Sequence, residues 1–189
     1  MKNLLILIVL LLINAFAVSG QDVRLNKREY ISVYNLSTQV PRQVEWTLRA
    51  SDLGNVKRET QWRFTQDVPH VLAHASHDDY KRSGYHRGHL CPAADRSSST
   101  QAMKATFAMS NVCPQLPSVN VGTWKQTENL CRAYALRYDS VQVIACPVFL
   151  HRDTAQIGKA PIYVPHAFFK AVWVASTDSV LNAWFIFNK

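Results

Sequence analysis

Residues 83–96 read Ser-Gly-Tyr-His-Arg-Gly-His-Leu-Cys-Pro-Ala-Ala-Asp-Arg, and residues 105–128 read Ala-Thr-Phe-Ala-Met-Ser-Asn-Val-Cys-Pro-Gln-Leu-Pro-Ser-Val-Asn-Val-Gly-Thr-Trp-Lys-Gln-Thr-Glu. Alternate residues of an extended segment share a face, so Arg87 and His89 are expected to point at one phosphate, with Gly88 letting the backbone approach closely. In the second block, 105–112 is strand-like, Pro114 and Pro117 mark a loop, and a helical pattern begins near Val121. Trp124, Thr127, Cys131 and Tyr134 recur there at three- and four-residue steps, which completes a strand, a loop and a helix.

Around this unit the chain is rich in strand signals. Tyr30–Tyr34 and the alternating Val44–Leu48 precede it, and Val141–Val148, Phe168–Ala175 and Leu181–Phe187 follow, bounded by Pro, Asp and Ser. Residues 50–85 are polar and weakly periodic, and read as a long surface excursion. The fold class expected is α+β, with a central antiparallel sheet and flanking helices. There is no internal repeat, low-complexity tract or inter-domain linker.

At the start of the chain, Lys2 is followed by the apolar run Leu4–Ile13 and the small-residue stretch Ala15–Gly20. This reads as a secretory signal peptide over residues 1–20, because the run is shorter than the roughly 20 apolar residues a bilayer span needs. Residues 21–189 are then expected to form one exported domain, secreted or periplasmic, without stable membrane association. The formal net charge is +8, and only Lys2 of that lies in the leader, so a polyanionic partner is indicated. Cys91, Cys113, Cys131 and Cys146 permit two disulfides in three connectivities, with buried free thiols as the rival. No C-x₂-C pair is present, which argues against a zinc site.

Phosphodiester hydrolysis needs a base for water, a cation on the phosphoryl oxygens, help for the leaving oxygen and fixed positive charge. Residues 83–128 supply a candidate for each: His89, the amides Asn111 and Asn120, the carboxylate Glu128, and Arg87. Taken singly each has a plain structural explanation, since Asn120 can cap a helix and Glu128 can be a solvated helix residue.

Together, GYHRGHLCPAADR, TFAMSNVCPQ and NVGTWKQTE resemble the DNA/RNA non-specific endonucleases, a ββα-metal (His-Me finger) family to which endonuclease G belongs. That family's pattern runs D-R-G-H, P-A-A-D, S-N-x-x-P-Q and N-x₃-W-x₃-E, in this order. The resemblance implies a metal-dependent endonuclease acting on DNA and RNA with little sequence preference. It implies His89 as general base and Asn120 as the direct ligand of Mg²⁺, with Mn²⁺ or another divalent cation as a substitute. It further implies Glu128 as holder of a metal-bound water, Asn111 as a residue ordering the site, and Arg87 as a phosphate-contacting or site-ordering arginine. Arg58 corresponds to an upstream phosphate-binding arginine, with Arg63 as its rival.

Three departures stand out. His86 replaces the acid of D-R-G-H, Cys146 stands where the family often has glycine, and the chain ends at Trp184–Lys189 where family members commonly continue, so a short C-terminus is expected. The first of these keeps a second reading open, a catalytically impaired or silent nucleic-acid-binding homologue. An inhibitor protein or a second copy of the chain is left open as a partner.

Overall fold

Alternation of buried and solvent-facing residues runs through most of the β-forming segments, and it builds one sheet. The computed structural model describes residues 22–69, 75–151, 153–177 and 179–189. Its strands are β1 (Asp22–Asn26), β2 (Ile31–Asn35), β3 (Val40–Arg49), β4 (His86–His89), β5 (Val112–Gln115), β6 (Ser140–Val148), β7 (Gln156–Ile157), β8 (Ile162–Tyr163), β9 (Ala167–Val174) and β10 (Ser179–Phe187). The helices are α1 (Thr100–Ala105), α2 (Pro117–Val121) and α3 (Thr123–Tyr138). Six strands form an antiparallel sheet in the order β1-β2-β3-β6-β9-β10, while β4 with β5 and β7 with β8 make two small hairpin sheets.

Along β3 the buried Val44, Trp46 and Leu48 alternate with half-buried Glu45 and Thr47, so every second side chain faces the core. Helix α3 answers with Trp124, Thr127, Cys131 and Ala135, buried at helical spacing. Trp124 and Phe168 of β9 meet at 5.4 Å between ring centroids, each fully buried. Burying a side chain of this size is worth roughly 3 kcal/mol. The helix stops at Asp139, whose φ of 64° takes the chain out of the helical region, and β6 begins at the next residue. The core that Trp124 anchors also takes in Leu90, Cys91, Val112 and Cys113, which couples the β4–β5 hairpin to the large sheet.

The expected α+β class and antiparallel sheet are found, and five expected strands appear: β3, β6 and β10 with extended ends, β2 and β9 shifted by one residue. Three expectations change. Residues 105–112 are not a strand: they hold the end of α1 and a 3₁₀ turn at Met109–Asn111, and the strand is Val112–Gln115. The Ser99 cap, which accepts from Ala102 N, accounts for the helix ending at Ala105, and the bonds of Asn111 to Cys91 and Thr106 and of Met109 N to Thr65 O hold the turn that follows. Residues 50–85 are not only a surface excursion, because Phe64, Val68, Ala75 and Tyr80 are buried. The stretch before Tyr30 forms an additional strand, β1, in register with β2. The four cysteines are all buried free thiols rather than disulfides. The expected signal peptide lies outside the described residues.

Candidate active site

The hairpin of β4 and β5 sets His86 opposite Gln115, Arg87 opposite Pro114, Gly88 opposite Cys113 and His89 opposite Val112. Gly88 is required by its neighbour: a Cβ there would stand 2.0 Å from Gln115 Oε1, and Gln115 is fully buried. Asn111 fixes the exit from β4. Its side-chain oxygen accepts from Cys91 N at 2.9 Å, its amide donates to Cys91 O and Thr106 O at 2.9 Å each, and its backbone O accepts from Leu90 N. Asn111 therefore reaches the site through the backbone that follows His89 and contacts no open space. Asn188, just past β10, donates to Pro114 O and Pro165 O and accepts from Leu116 N, which pins the turn between β5 and α2.

His89 sits in an aromatic frame. Its ring centroid is 4.9 Å from Phe64 and 4.8 Å from Phe107, and Trp124 Nε1 donates to its backbone O at 3.0 Å. Nε2 is buried and has no hydrogen-bond partner among the described residues. Burial pushes the imidazole down to about 3, with the Arg58 guanidinium acting in the same direction, so the ring is neutral at physiological pH. Arg58 stacks its guanidinium 4.8 Å from the Phe107 ring centre and is exposed. Arg63 instead pairs with Asp78 at 2.6 Å, so of the two rivals Arg58 stands beside His89.

Arg87 shares the strand with His89 but is already engaged. Its Nε and Nη2 both donate to His77 O, at 2.8 and 2.5 Å, and its guanidinium lies over Tyr80. His77 in turn accepts from Phe64 N at 3.2 Å. Arg87 thus braces the loop that presents Phe64 to His89.

Asn120 lies in α2, a half-buried residue whose Nδ2 is 3.0 Å from Nδ1 of the exposed His86. Glu128 lies one turn beyond Trp124 on α3. Burial raises its carboxyl to about 7, with Asp95 adding to the rise and Lys170, Arg132 and Lys125 opposing it. An amide oxygen, a carboxylate and water form the donor set suited to a hard divalent cation. Among the described residues no group of three or more His, Cys, Asp or Glu side chains converges, so a cation here would depend on few protein donors.

Sequence reasoning did not single out Phe64, Phe107 or Lys170. Lys170 is fully buried, its Nζ without a hydrogen bond among the described residues and 3.7 Å from the centre of the Trp124 ring that holds His89 O. A lysine inside the apolar run of β9 was the signal available for it. Asp95 joins the same layer, accepting from Trp46 Nε1 at 3.0 Å and pairing with Arg132 at 2.8 Å. A depression of about 750 Å³ lined by Lys27, Arg28, Glu45, Arg49 and Gln142 lies apart from His89, Asn120 and Glu128, none of which lines it.

The family model described as DNA/RNA non-specific endonuclease matches residues 10–188. The chain is similar to a nuclease of Nostoc, 33% identical over 148 residues that cover 78% of this chain and 53% of the relative. It is similar to human mitochondrial endonuclease G, 35% identical over 158 residues covering 78% and 53% respectively. The mitochondrial nuclease of Saccharomyces cerevisiae is 35% identical over 161 residues, covering 78% and 49%. The chain thus spans about half the length of these relatives. Its fold is similar to a structure of an EndoG/EndoGI complex described as a mechanism of EndoG inhibition, with a TM-score of 0.79 at 24% identity over 94% of this chain and 79% of the other.

Proposed function

The chain belongs to the DNA/RNA non-specific endonuclease family, and from that premise we propose that it is an exported endonuclease that hydrolyses phosphodiester bonds of DNA and RNA with Mg²⁺ as cofactor. The observation that carries this reading is His89, an imidazole kept neutral by burial between Phe64 and Phe107 with the Arg58 guanidinium beside it. In the proposed reaction His89 accepts the proton of the attacking water, while Trp124 and the rings of Phe64 and Phe107 hold the imidazole in place. Asn120 would hold the cation through its amide oxygen, and Glu128 would hold it through a water. When bound, the cation supplies positive charge at the phosphoryl oxygens and acidity for the leaving oxygen. Arg58 binds a phosphate beside His89, and Arg87 orders the loop beneath it.

Contacts to backbone and metal carry no base information, which accounts for weak sequence preference. Export rests on the apolar leader, and the net charge of +8 suits a polyanionic substrate. Digestion of plasmid DNA and RNA side by side in Mg²⁺ tests the reading. Cleavage is expected, and is expected to be lost in EDTA and in His89→Ala. Salt-sensitive binding with no cleavage in Mg²⁺ or Mn²⁺ would establish the silent homologue instead, and full activity in His89→Ala would remove His89 as base.

A further inference from the structure

An amide has two ends, and only its oxygen ligates a hard cation, so an asparagine ligand must be told which end to present. Asn120 is placed by α2, a helix of five residues, and among the described residues one side-chain hydrogen bond reaches its amide, the 3.0 Å approach of Nδ2 to His86 Nδ1. A neutral imidazole protonated on Nε2 offers Nδ1 as an acceptor, which the amide nitrogen satisfies as donor. His86 is held in turn by the pairing of β4 with β5, where it faces Gln115, so the acceptor is fixed to the same hairpin that carries His89.

We propose that His86 is a positioning residue for the cation site: by accepting from Asn120 Nδ2 it turns Asn120 Oδ1 toward the metal. The inference rests on the reading of Asn120 as the Mg²⁺ ligand. A histidine can stand where the family has an acid, since a carboxylate and a neutral imidazole nitrogen are each able to accept a hydrogen bond from an amide nitrogen. What the histidine does not bring is the negative charge. Orientation is therefore retained here, while the electrostatic part of the acid's attraction for a cation is absent.

The test is metal binding to the purified protein, measured by calorimetry with Mg²⁺ and Mn²⁺ in the absence of nucleic acid. His86→Ala is expected to weaken binding about 5-fold, the equivalent of one modest hydrogen bond of about 1 kcal/mol. His86→Asn, which keeps an acceptor, is expected to restore most of that loss, and His86→Asp to bind more tightly than the starting protein.

The decisive comparison uses Asn120→Asp, because a carboxylate presents oxygen at both ends and has nothing to orient. In that background His86→Ala is expected to change metal affinity by less than about 2-fold, so that the effect of His86 depends on the amide at position 120. The same loss in both backgrounds would overturn the proposal. So would a directly coordinated histidine nitrogen in the pulsed electron paramagnetic resonance spectrum of bound Mn²⁺, which would make His86 a ligand. An Asn120→Ala variant that binds metal normally would instead sink the ligand assignment itself, and metal binding without cleavage would sink the proposed activity while leaving His86 in its role.

Discussion

Replacing Glu128 by glutamine is expected to stabilise the metal-free protein at alkaline pH while damaging its activity. Burial and Asp95 outweigh Lys170, Arg132 and Lys125 and raise this carboxyl from 4.5 to about 7. Between those values the folded chain keeps a proton that the unfolded chain has released. The stability tied to that proton is complete below 4.5, and it is lost as the pH rises through about 7. The gap corresponds to about 3 kcal/mol, and partial contact of the side chain with water reduces the expectation to about 1.5 kcal/mol. Glutamine has the same shape and no charge to bury, so at pH 8 without metal the variant is expected to melt about 3–6 °C higher than the parent. At pH 4 the difference vanishes, because both side chains are neutral. Thermal scans in EDTA at the two pH values read this directly, with plasmid cleavage in Mg²⁺ falling in the variant. An equal gain at both pH values, or a lower melting temperature at pH 8, would refute burial as the origin of the shift.

Asn111→Ala removes three hydrogen bonds from a fully buried amide and leaves Cys91 N–H without a partner, which is expected to cost about 3 kcal/mol in urea unfolding. Gly88→Ala drives a Cβ onto Gln115 Oε1 and is expected to destabilise by about 1–3 kcal/mol. Adding Gln115→Ala to that variant opens space and is expected to recover part of the loss; no recovery in urea midpoints would contradict the clash. His89, pushed down to about 3, stays neutral well below 6.5, so kcat/KM at saturating metal is expected to show no acid limb near 6.5 that belongs to the imidazole. A limb near 6.5 that survives Glu128→Gln would contradict this assignment.

Much of the site is written locally, and the legible parts share that property. The pairing of alternate residues on β4, the helix carrying Trp124 and Glu128, and the β-branched runs of β3, β6 and β10 all follow from periodicity within a few residues. What periodicity misses depends on partners distant in sequence. Phe64 lies in a segment with weak pattern, yet tertiary packing buries it 4.9 Å from His89. Residues 105–112 are apolar enough to suggest a strand, but the Ser99 cap and the burial of Asn111 hold them as helix and turn. Arg87 illustrates the same limit, since its position two residues from His89 is readable but its engagement with His77 O is not.

One physical cause shapes both halves of the candidate site and moves them in opposite directions. Burial disfavours charge, so it lowers the imidazole of His89 and raises the carboxyl of Glu128. Near neutrality the site is therefore charge-poor: the base is ready, and the carboxylate is only partly formed. A divalent cation at Asn120 would change this balance in the useful sense on both sides. Its field opposes protonation of His89 and favours ionisation of Glu128, so one bound charge would keep the base free and complete the group that holds its hydration. On this argument metal binding releases a proton from Glu128, and Mg²⁺ affinity climbs with pH through about 7. The pH dependence of metal affinity is therefore expected to flatten in Glu128→Gln, measured by calorimetry with Mg²⁺ across pH 5–8.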